Sequence, residues 1–157
     1  MSYAIEVDDL RKRTAAAAIL VIAGVALLTF YYFYPQPKTA RIMFAGTVLT
    51  VELATTPTEQ QRGLSGRDSM PADHGMLFVF QQPAQWGFWM IEMKFPLDII
   101  WFDANKHAIF IEQNLAPCTP DICPVFTPPA DALYVLEVNA GFVRTHGVML
   151  GDSFTYI

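Results

Sequence analysis

The chain has 157 residues, of which 53% are apolar and 16% are charged, and its formal net charge is −5. This length accommodates one membrane-spanning segment and one small domain but excludes two full domains. Residues 35–157 contain seven Lys and Arg against twelve Asp and Glu, with no basic run. Because binding to phosphates requires clustered basic side chains, we expect no nucleic-acid partner.

The first predicted element is a transmembrane helix over residues 14–34, a stretch without a charged residue. At about 1.5 Å per residue it would be roughly 31 Å long, which matches the hydrocarbon core of a bilayer. A basic run at residues 11–13 precedes it and aromatic residues fill its end, so residues 1–13 are predicted to be cytoplasmic. The long core and its aromatic end favour a permanent anchor over a cleaved signal peptide.

A proline-containing linker follows over residues 35–39, and residues 40–157 are predicted to form one extracytoplasmic β domain. Alternating apolar and polar residues, with many β-branched and aromatic side chains, predict its strands. The predicted strands are residues 41–45, 48–54, 76–80, 88–90, 97–102, 107–112, 133–138 and 154–157. The expected fold class is therefore mostly β, a β-sandwich or pseudobarrel, preceded by a single transmembrane α-helix.

Two short helical segments interrupt the predicted strands. Thr56, Pro57 and Glu59 have the pattern of a capping box with proline at the first helical position, and Gly63 is a helix stop. They predict a helix of about two turns. A second helical turn is predicted over residues 140–145, before Gly147.

Cys118 and Cys123 are the two cysteines of the chain, with four residues between them. Because an exported domain meets an oxidising compartment, we expect them to form a disulfide. A redox pair is the alternative, although the usual redox motif has two intervening residues rather than four.

Five short motifs follow one another along the domain. They are GLSGR (63–67), GMLFVF (75–80), FWM (88–90), PLDIIWFD (96–103) and VLEVNAG (135–141). Their order and spacing over residues 40–157 resemble the family catalogued as domain of unknown function 192. The resemblance implies a small β-sandwich or pseudobarrel domain, often exported behind a signal or an anchor, and implies no established reaction. One departure lies at residues 91–93, where Ile-Glu-Met replaces the Lys-Asn-Thr of the family pattern.

Asp98 lies within an apolar run, so we expect it to be buried and to need a partner, for which Arg67 is the best candidate. In one interpretation the pair is structural. In the other it forms the polar floor of a pocket. The candidate ligand-binding residues are then Arg67, Met76, Trp89, Met90 and Asp98, with Phe78 as a further wall. Glu137 raises the same question of burial, and its alternation with Leu136 and Val138 gives the alternative that it points outward.

No catalytic residue is predicted. Ser65 lacks the glycine that precedes the nucleophile in an esterase elbow, and a paired-carboxylate site using Asp98 and Glu137 is a weak hypothesis. Several methionines near His74 suggest a Cu(I) site, but methionine is also an adaptable core residue, so we expect no metal and no cofactor.

The sequence therefore predicts a membrane-tethered extracytoplasmic binding or accessory domain without enzymatic activity. Its expected partners are the lipid bilayer and other subunits of a membrane complex. The alternative is a small-ligand-binding protein or an enzyme that uses a pocket around Arg67, Trp89, Met90 and Asp98.

Overall fold

The computed structural model describes residues 16–29 and 38–157, and the chain divides into two compact units, Met1–Gln36 and Pro37–Ile157. Residues 16–29, in the first unit, form helix α1. Its large apolar side chains are exposed, for example Leu20.

The predicted transmembrane segment, residues 14–34, is only partly described, because residues 14–15 and 30–34 lie outside the described residues. Over the two ranges that the structure describes, no helix combines the length and the apolar character needed to cross a membrane.

The second unit is built on one mixed sheet of seven strands. The strands are β1 (Thr39–Phe44), β2 (Thr47–Ala54), β3 (His74–Ala84), β4 (Leu97–Phe102), β5 (Ala108–Leu115), β6 (Ala132–Asn139) and β7 (Thr155–Tyr156). Their order across the sheet is β5-β4-β6-β3-β2-β1-β7, with β2 and β3 parallel and the other neighbours antiparallel. Helices α2 (Pro57–Arg62) and α3 (Phe142–His146) lie in the connections. The predicted mostly β domain with short helices is confirmed, as one sheet of seven strands.

Helix α2 begins at the predicted capping box. Thr56 Oγ1 accepts a hydrogen bond from Glu59 N (3.3 Å), and Glu59 Oε2 accepts one from Thr56 N (2.9 Å). Pro57 opens the helix, and Gly63 ends it with a φ of 51°. The Gln60 side chain donates to one backbone carbonyl of β2 and one of β3, which fixes the helix beside the sheet.

The central strands are buried on both faces, so alternate residues belong to two different cores. On β3, β4 and β6, Leu77, Ile100 and Leu136 pack in the first core with α3 and β1. Their neighbours Phe78, Ile99 and Val135 pack in the second core, beneath the segments around residues 86–95 and 115–126. Because both faces of these strands are covered, apolar alternation does not distinguish an inner face from an outer one.

The sheet curls until the segments that precede its two edge strands meet. His107, before β5, forms an isolated bridge with Ser153, before β7. Ala108 N donates to Asp152 O, and Gly151 N donates to Ala108 O, both at 2.8 Å. These bonds hold the two edges of the sheet together.

The prediction of a strand over residues 88–90 is wrong. Phe88 forms an isolated antiparallel bridge with Phe126, with hydrogen bonds of 2.9 and 2.8 Å in the two directions. Pro124, Pro128 and Pro129 lie close to this bridge in sequence and have no N–H to donate, so the ladder does not extend.

Candidate functional site

Asp98 is fully buried, as expected, but its partners are backbone groups. Its Oδ1 accepts a hydrogen bond from Asn114 N (2.8 Å), and its Oδ2 accepts one from Val143 N (2.9 Å). Val143 lies in the first turn of α3, whose N-cap residue Gly141 offers no side chain. The carboxylate of β4 therefore caps α3 and ties it to the end of β5.

Arg67 pairs with Glu52 on β2, so the expected ion pair between Arg67 and Asp98 is wrong. The guanidinium contacts both carboxylate oxygens, with 2.7 Å between Nη2 and Oε2. Hydrogen bonding to Arg67 lowers the pKa of Glu52. Asp98 points into the first core, whereas Glu52 faces the same side as Met76 of the second core, so the sheet separates the two acids.

The second core borders a cavity of about 410 Å³, which we call the aromatic cavity. One wall is formed by the end of α2 and residues 63–65. The other lining side chains are Phe78, Phe80, Trp86, Phe88, Trp89, Met93 and Glu137. Trp89 is 42% exposed, so the cavity is open to solvent on this side.

The aromatic residues support one another through ring contacts. Phe80 stacks on Trp86 with their centroids 4.1 Å apart, and Phe88 meets Phe78 edge-on at 4.8 Å. Such contacts stabilise a fixed arrangement of the rings. The wall is therefore a packed surface rather than a set of loose side chains.

Glu137 borders the aromatic cavity, and the alternative that it points outward is wrong. It is only 5% exposed, and no described residue forms a hydrogen bond with its Oε2. On β6 it lies opposite Met76 of β3 and Ile99 of β4. With uncharged neighbours on both sides, burial raises the pKa of Glu137 to about 8, although the charge of Arg67 opposes this shift.

Glycine at position 63 lets the end of α2 approach this carboxyl group. A Cβ built on Gly63 would lie 3.4 Å from the Phe78 ring and 3.9 Å from Glu137 Oε2. Its positive φ also favours glycine. Glu137 Oε2 is thus directed at the cavity wall formed by α2 and residues 63–65.

Trp86 contributes a second polar atom without a partner. Its Nε1 is buried and forms no hydrogen bond within the described part of the chain. Trp101 Nε1, in contrast, donates to Trp86 O at 2.9 Å. The aromatic cavity is therefore bordered by two side chains with unpaired buried polar atoms, Trp86 and Glu137.

The predicted pocket residues are only partly brought together. Trp89 and the further wall residue Phe78 line the aromatic cavity. Met76 and Met90 are buried in the adjoining second core. Arg67 lies beside Glu52, and Asp98 instead borders a smaller cavity of about 180 Å³.

Sequence reasoning missed Glu137, Phe80 and Trp86 as lining residues. The available signal for Phe80 and Trp86 was the density of aromatic residues between 78 and 89. Glu137 had no such local signal, because the apolar strands beside it become its neighbours only through long-range pairing.

The two cysteines form the expected disulfide, and three of the methionines are core residues. The disulfide between Cys118 and Cys123 is confirmed, with 5.2 Å between the Cα atoms. Met76, Met90 and Met93 pack in the second core, and His74 Nδ1 lies 2.8 Å from Asp73 Oδ1. Among the described residues, no three His, Cys, Asp or Glu side chains form a group able to hold a metal.

Residues 91–93, which depart from the family pattern, include one residue in the left-handed backbone conformation. Glu92 has a φ of 59°, and its carbonyl accepts a hydrogen bond from Gly66 N at 2.9 Å. Asparagine adopts this left-handed conformation more readily than most residues. The backbone at this position therefore favours asparagine over the glutamate that this chain has.

Two crystal structures of other proteins are similar to the domain. A crystal structure of a candidate transcription regulator from Sinorhizobium meliloti 1021 has 31% identity and a TM-score of 0.72, and covers 78% of this chain and 97% of that one. A protein of unknown function from Novosphingobium aromaticivorans DSM 12444 has 28% identity and a TM-score of 0.70, over 77% and 93% of the two chains. No curated protein matches the chain.

The family comparison covers most of the chain. The model of the DUF192 family, described as uncharacterized ACR, matches residues 40–156. This range includes every strand of the sheet except the first residue of β1, and all residues of the aromatic cavity. The chain is a member of the DUF192 family.

Proposed function

We propose that the domain formed by residues 38–157 binds a small, largely apolar molecule in the aromatic cavity. The observation that carries this proposal is the buried carboxyl group of Glu137, which borders the cavity without a hydrogen-bond partner among the described residues. Buried polar groups in proteins are nearly always paired, so an unpaired one beside a cavity indicates a ligand.

The size and wall chemistry of the cavity support a binding function. Small-molecule sites typically occupy about 300–1,000 Å³ and combine apolar walls with a few polar groups. The aromatic cavity, at about 410 Å³, lies within this range. Its aromatic wall would contribute contact area, and the polar groups would orient the ligand.

Binding fits the lining residues better than catalysis does. Ser65 is the hydroxyl-bearing residue among the described lining residues, and its Oγ donates to Ile91 O at 3.1 Å. The described lining contains no histidine to act as its base. We therefore propose a non-enzymatic binding domain.

We further propose that residues 14–34 tether this domain to a membrane, with the domain on the extracytoplasmic side. The uncharged segment and its basic N-terminal flank support this orientation. The exposed apolar side chains of α1 suit a lipid environment. The disulfide fits an oxidising compartment.

A role as accessory subunit of a membrane complex is the second candidate. Exposed apolar side chains favour it: Ile122 is 81% exposed, and Val125 and Trp89 are also exposed. The segments that carry them are joined by the bridge between Phe88 and Phe126. Apolar residues clustered on an exposed surface suit contact with a partner protein.

One purification tests these proposals together. We expect the full chain to remain with carbonate-washed membranes, and after mild detergent extraction to carry a small molecule detectable by native mass spectrometry. Gln61→Trp, which places a large side chain at an exposed lining position, should abolish that mass difference.

Thr58→Trp is the matched control, because Thr58 is exposed on the same helix but does not line the cavity. It should retain the bound mass. If the wild type and both variants have the same mass apart from their substitutions, the binding proposal is wrong. Release by carbonate would contradict the tether, and a monomer at every detergent concentration would contradict the accessory role.

A further inference from the structure

We infer that the aromatic cavity takes a neutral, largely apolar molecule with a hydrogen-bond acceptor, such as a ketone or ester carbonyl oxygen, which pairs with Glu137 and Trp86. This inference rests on the proposed function, because it names the ligand class of the same cavity. It follows from the chemistry of the two unpaired groups and from the charges around them.

The unpaired groups of Trp86 and Glu137 are both suited to donate a hydrogen bond. The indole Nε1 of Trp86 is a donor that cannot accept a hydrogen bond. A protonated carboxyl group adds an O–H donor, and Glu137 Oε2 has no hydrogen-bond partner among the described residues. Two donors beside an apolar wall are best satisfied by an acceptor on the ligand.

The charge state of Glu137 also favours a neutral ligand. Burial raises the pKa of Glu137 to about 8, so the group is mostly protonated at pH 7. Neutral Met76 and Ile99 flank it on the neighbouring strands. The charged or titratable side chains around Glu137 and its neighbours are Glu52, Arg62, Arg67 and His74.

These groups disfavour a charged ligand. Arg67 is neutralised by Glu52, but its positive charge still acts on the Glu137 site. Arg62 is exposed at the lining. A cation would be repelled by both guanidinium groups and would have to displace the proton of Glu137. An anion would bury its charge against the aromatic wall, because Arg67 is already bound to Glu52 and the attraction of the exposed Arg62 is screened by solvent.

Three probes of nearly the same shape distinguish the ligand classes. Pivalophenone carries a carbonyl oxygen, neopentylbenzene lacks it, and benzyltrimethylammonium replaces the quaternary carbon with a cationic nitrogen. Each is titrated into the full chain in detergent micelles, followed by the indole N–H resonances of its three tryptophans. The Gln61→Trp variant in the same micelles corrects for partition into detergent, after its additional indole signal has been assigned.

We expect pivalophenone to shift the Trp86 indole resonance saturably. The Trp101 resonance, whose N–H is already bonded to Trp86 O, should move less. Affinity for the ketone should exceed that for the hydrocarbon about tenfold, because one or two hydrogen bonds are gained. The affinity for the ketone should be nearly constant from pH 6 to 7.5 and should decrease above pH 8, towards the lower affinity of the ionised form, as Glu137 loses its proton.

Two variants separate the donor from the fold. Glu137→Gln keeps an N–H donor without a proton to lose, so it should bind the ketone without the decrease above pH 8. Glu137→Met removes this donor from an apolar position and should weaken ketone binding about threefold to tenfold, although the Trp86 N–H still favours the ketone over the hydrocarbon.

Some results would contradict only the ligand class, and another would contradict the binding function as well. Tighter binding of the cation, with affinity rising through pH 8, would overturn the neutral-acceptor inference and leave the binding function intact. Equal affinity for ketone and hydrocarbon would also overturn the neutral-acceptor inference and leave the binding function intact. The absence of saturable binding by all three probes would count against both the inference and the proposed function.

Discussion

Asp98→Asn is expected to destabilise the protein by about 3 kcal/mol, without any change in the aromatic cavity. The carboxylate accepts hydrogen bonds from Asn114 N and Val143 N, one on each oxygen. An amide has a single acceptor oxygen, so its NH₂ group would face one of these backbone donors. The change loses a charge-assisted bond and leaves a buried N–H unpaired, at about 1–3 kcal/mol each.

Thermal unfolding of the full chain in mild detergent, followed by circular dichroism, measures this effect. A loss of about 3 kcal/mol corresponds to a decrease in Tm of roughly 10 °C for a domain of this size. Asp131→Asn makes the same chemical change at an exposed residue and should stay within about 0.5 kcal/mol of the wild type. If both variants lower Tm equally, the capping role of Asp98 is contradicted.

Glu137→Gln is expected to stabilise the protein at pH 8 while leaving its stability at pH 5 nearly unchanged. The pKa of Glu137 is raised from 4.5 to about 8 in the folded protein. Between these values the folded chain holds a proton that the unfolded chain has released. Its contribution to the free energy of unfolding therefore decreases as pH rises, by about 1.4 kcal/mol per pH unit, and levels off above pH 8.

Other acids superimpose their own pH dependence. Glu52 and Asp68, for example, have lowered pKa values because of hydrogen bonds to Arg67 and Lys94, and contribute the opposite slope at lower pH. The informative quantity is therefore the difference in free energy of unfolding between the variant and the wild type. It should grow by a few kcal/mol from pH 5 to pH 8. Parallel curves over this range would show that the Glu137 carboxyl ionises normally.

Elements formed by residues close together in the sequence could be predicted from short sequence patterns. The capping box of Thr56 and Glu59 is formed by groups three residues apart, so its pattern is sufficient to place α2. The disulfide between Cys118 and Cys123 likewise closes a short loop. Strands β1, β2, β4 and β6 were predicted to within about two residues at each end, because their apolar patterns are strong.

The candidate site depended on which face each strand residue takes, and the sequence does not determine this in a doubly covered sheet. Asp98 and Glu137 are both acids within apolar strands, yet one faces the first core and the other faces the second. The choice of partner for Arg67 follows from the parallel pairing of β2 with β3, which brings Glu52 beside Met76. Such long-range register is not encoded in local alternation.

A crystal structure of the full chain, purified at neutral pH from the cells that produce it, would show whether the aromatic cavity is a ligand site. We expect electron density for a small molecule in the cavity, with an acceptor atom about 2.6–3.2 Å from Glu137 Oε2 or Trp86 Nε1. A cavity closed by its own side chains, with Glu137 Oε2 hydrogen-bonded to another group of the protein, would contradict this expectation.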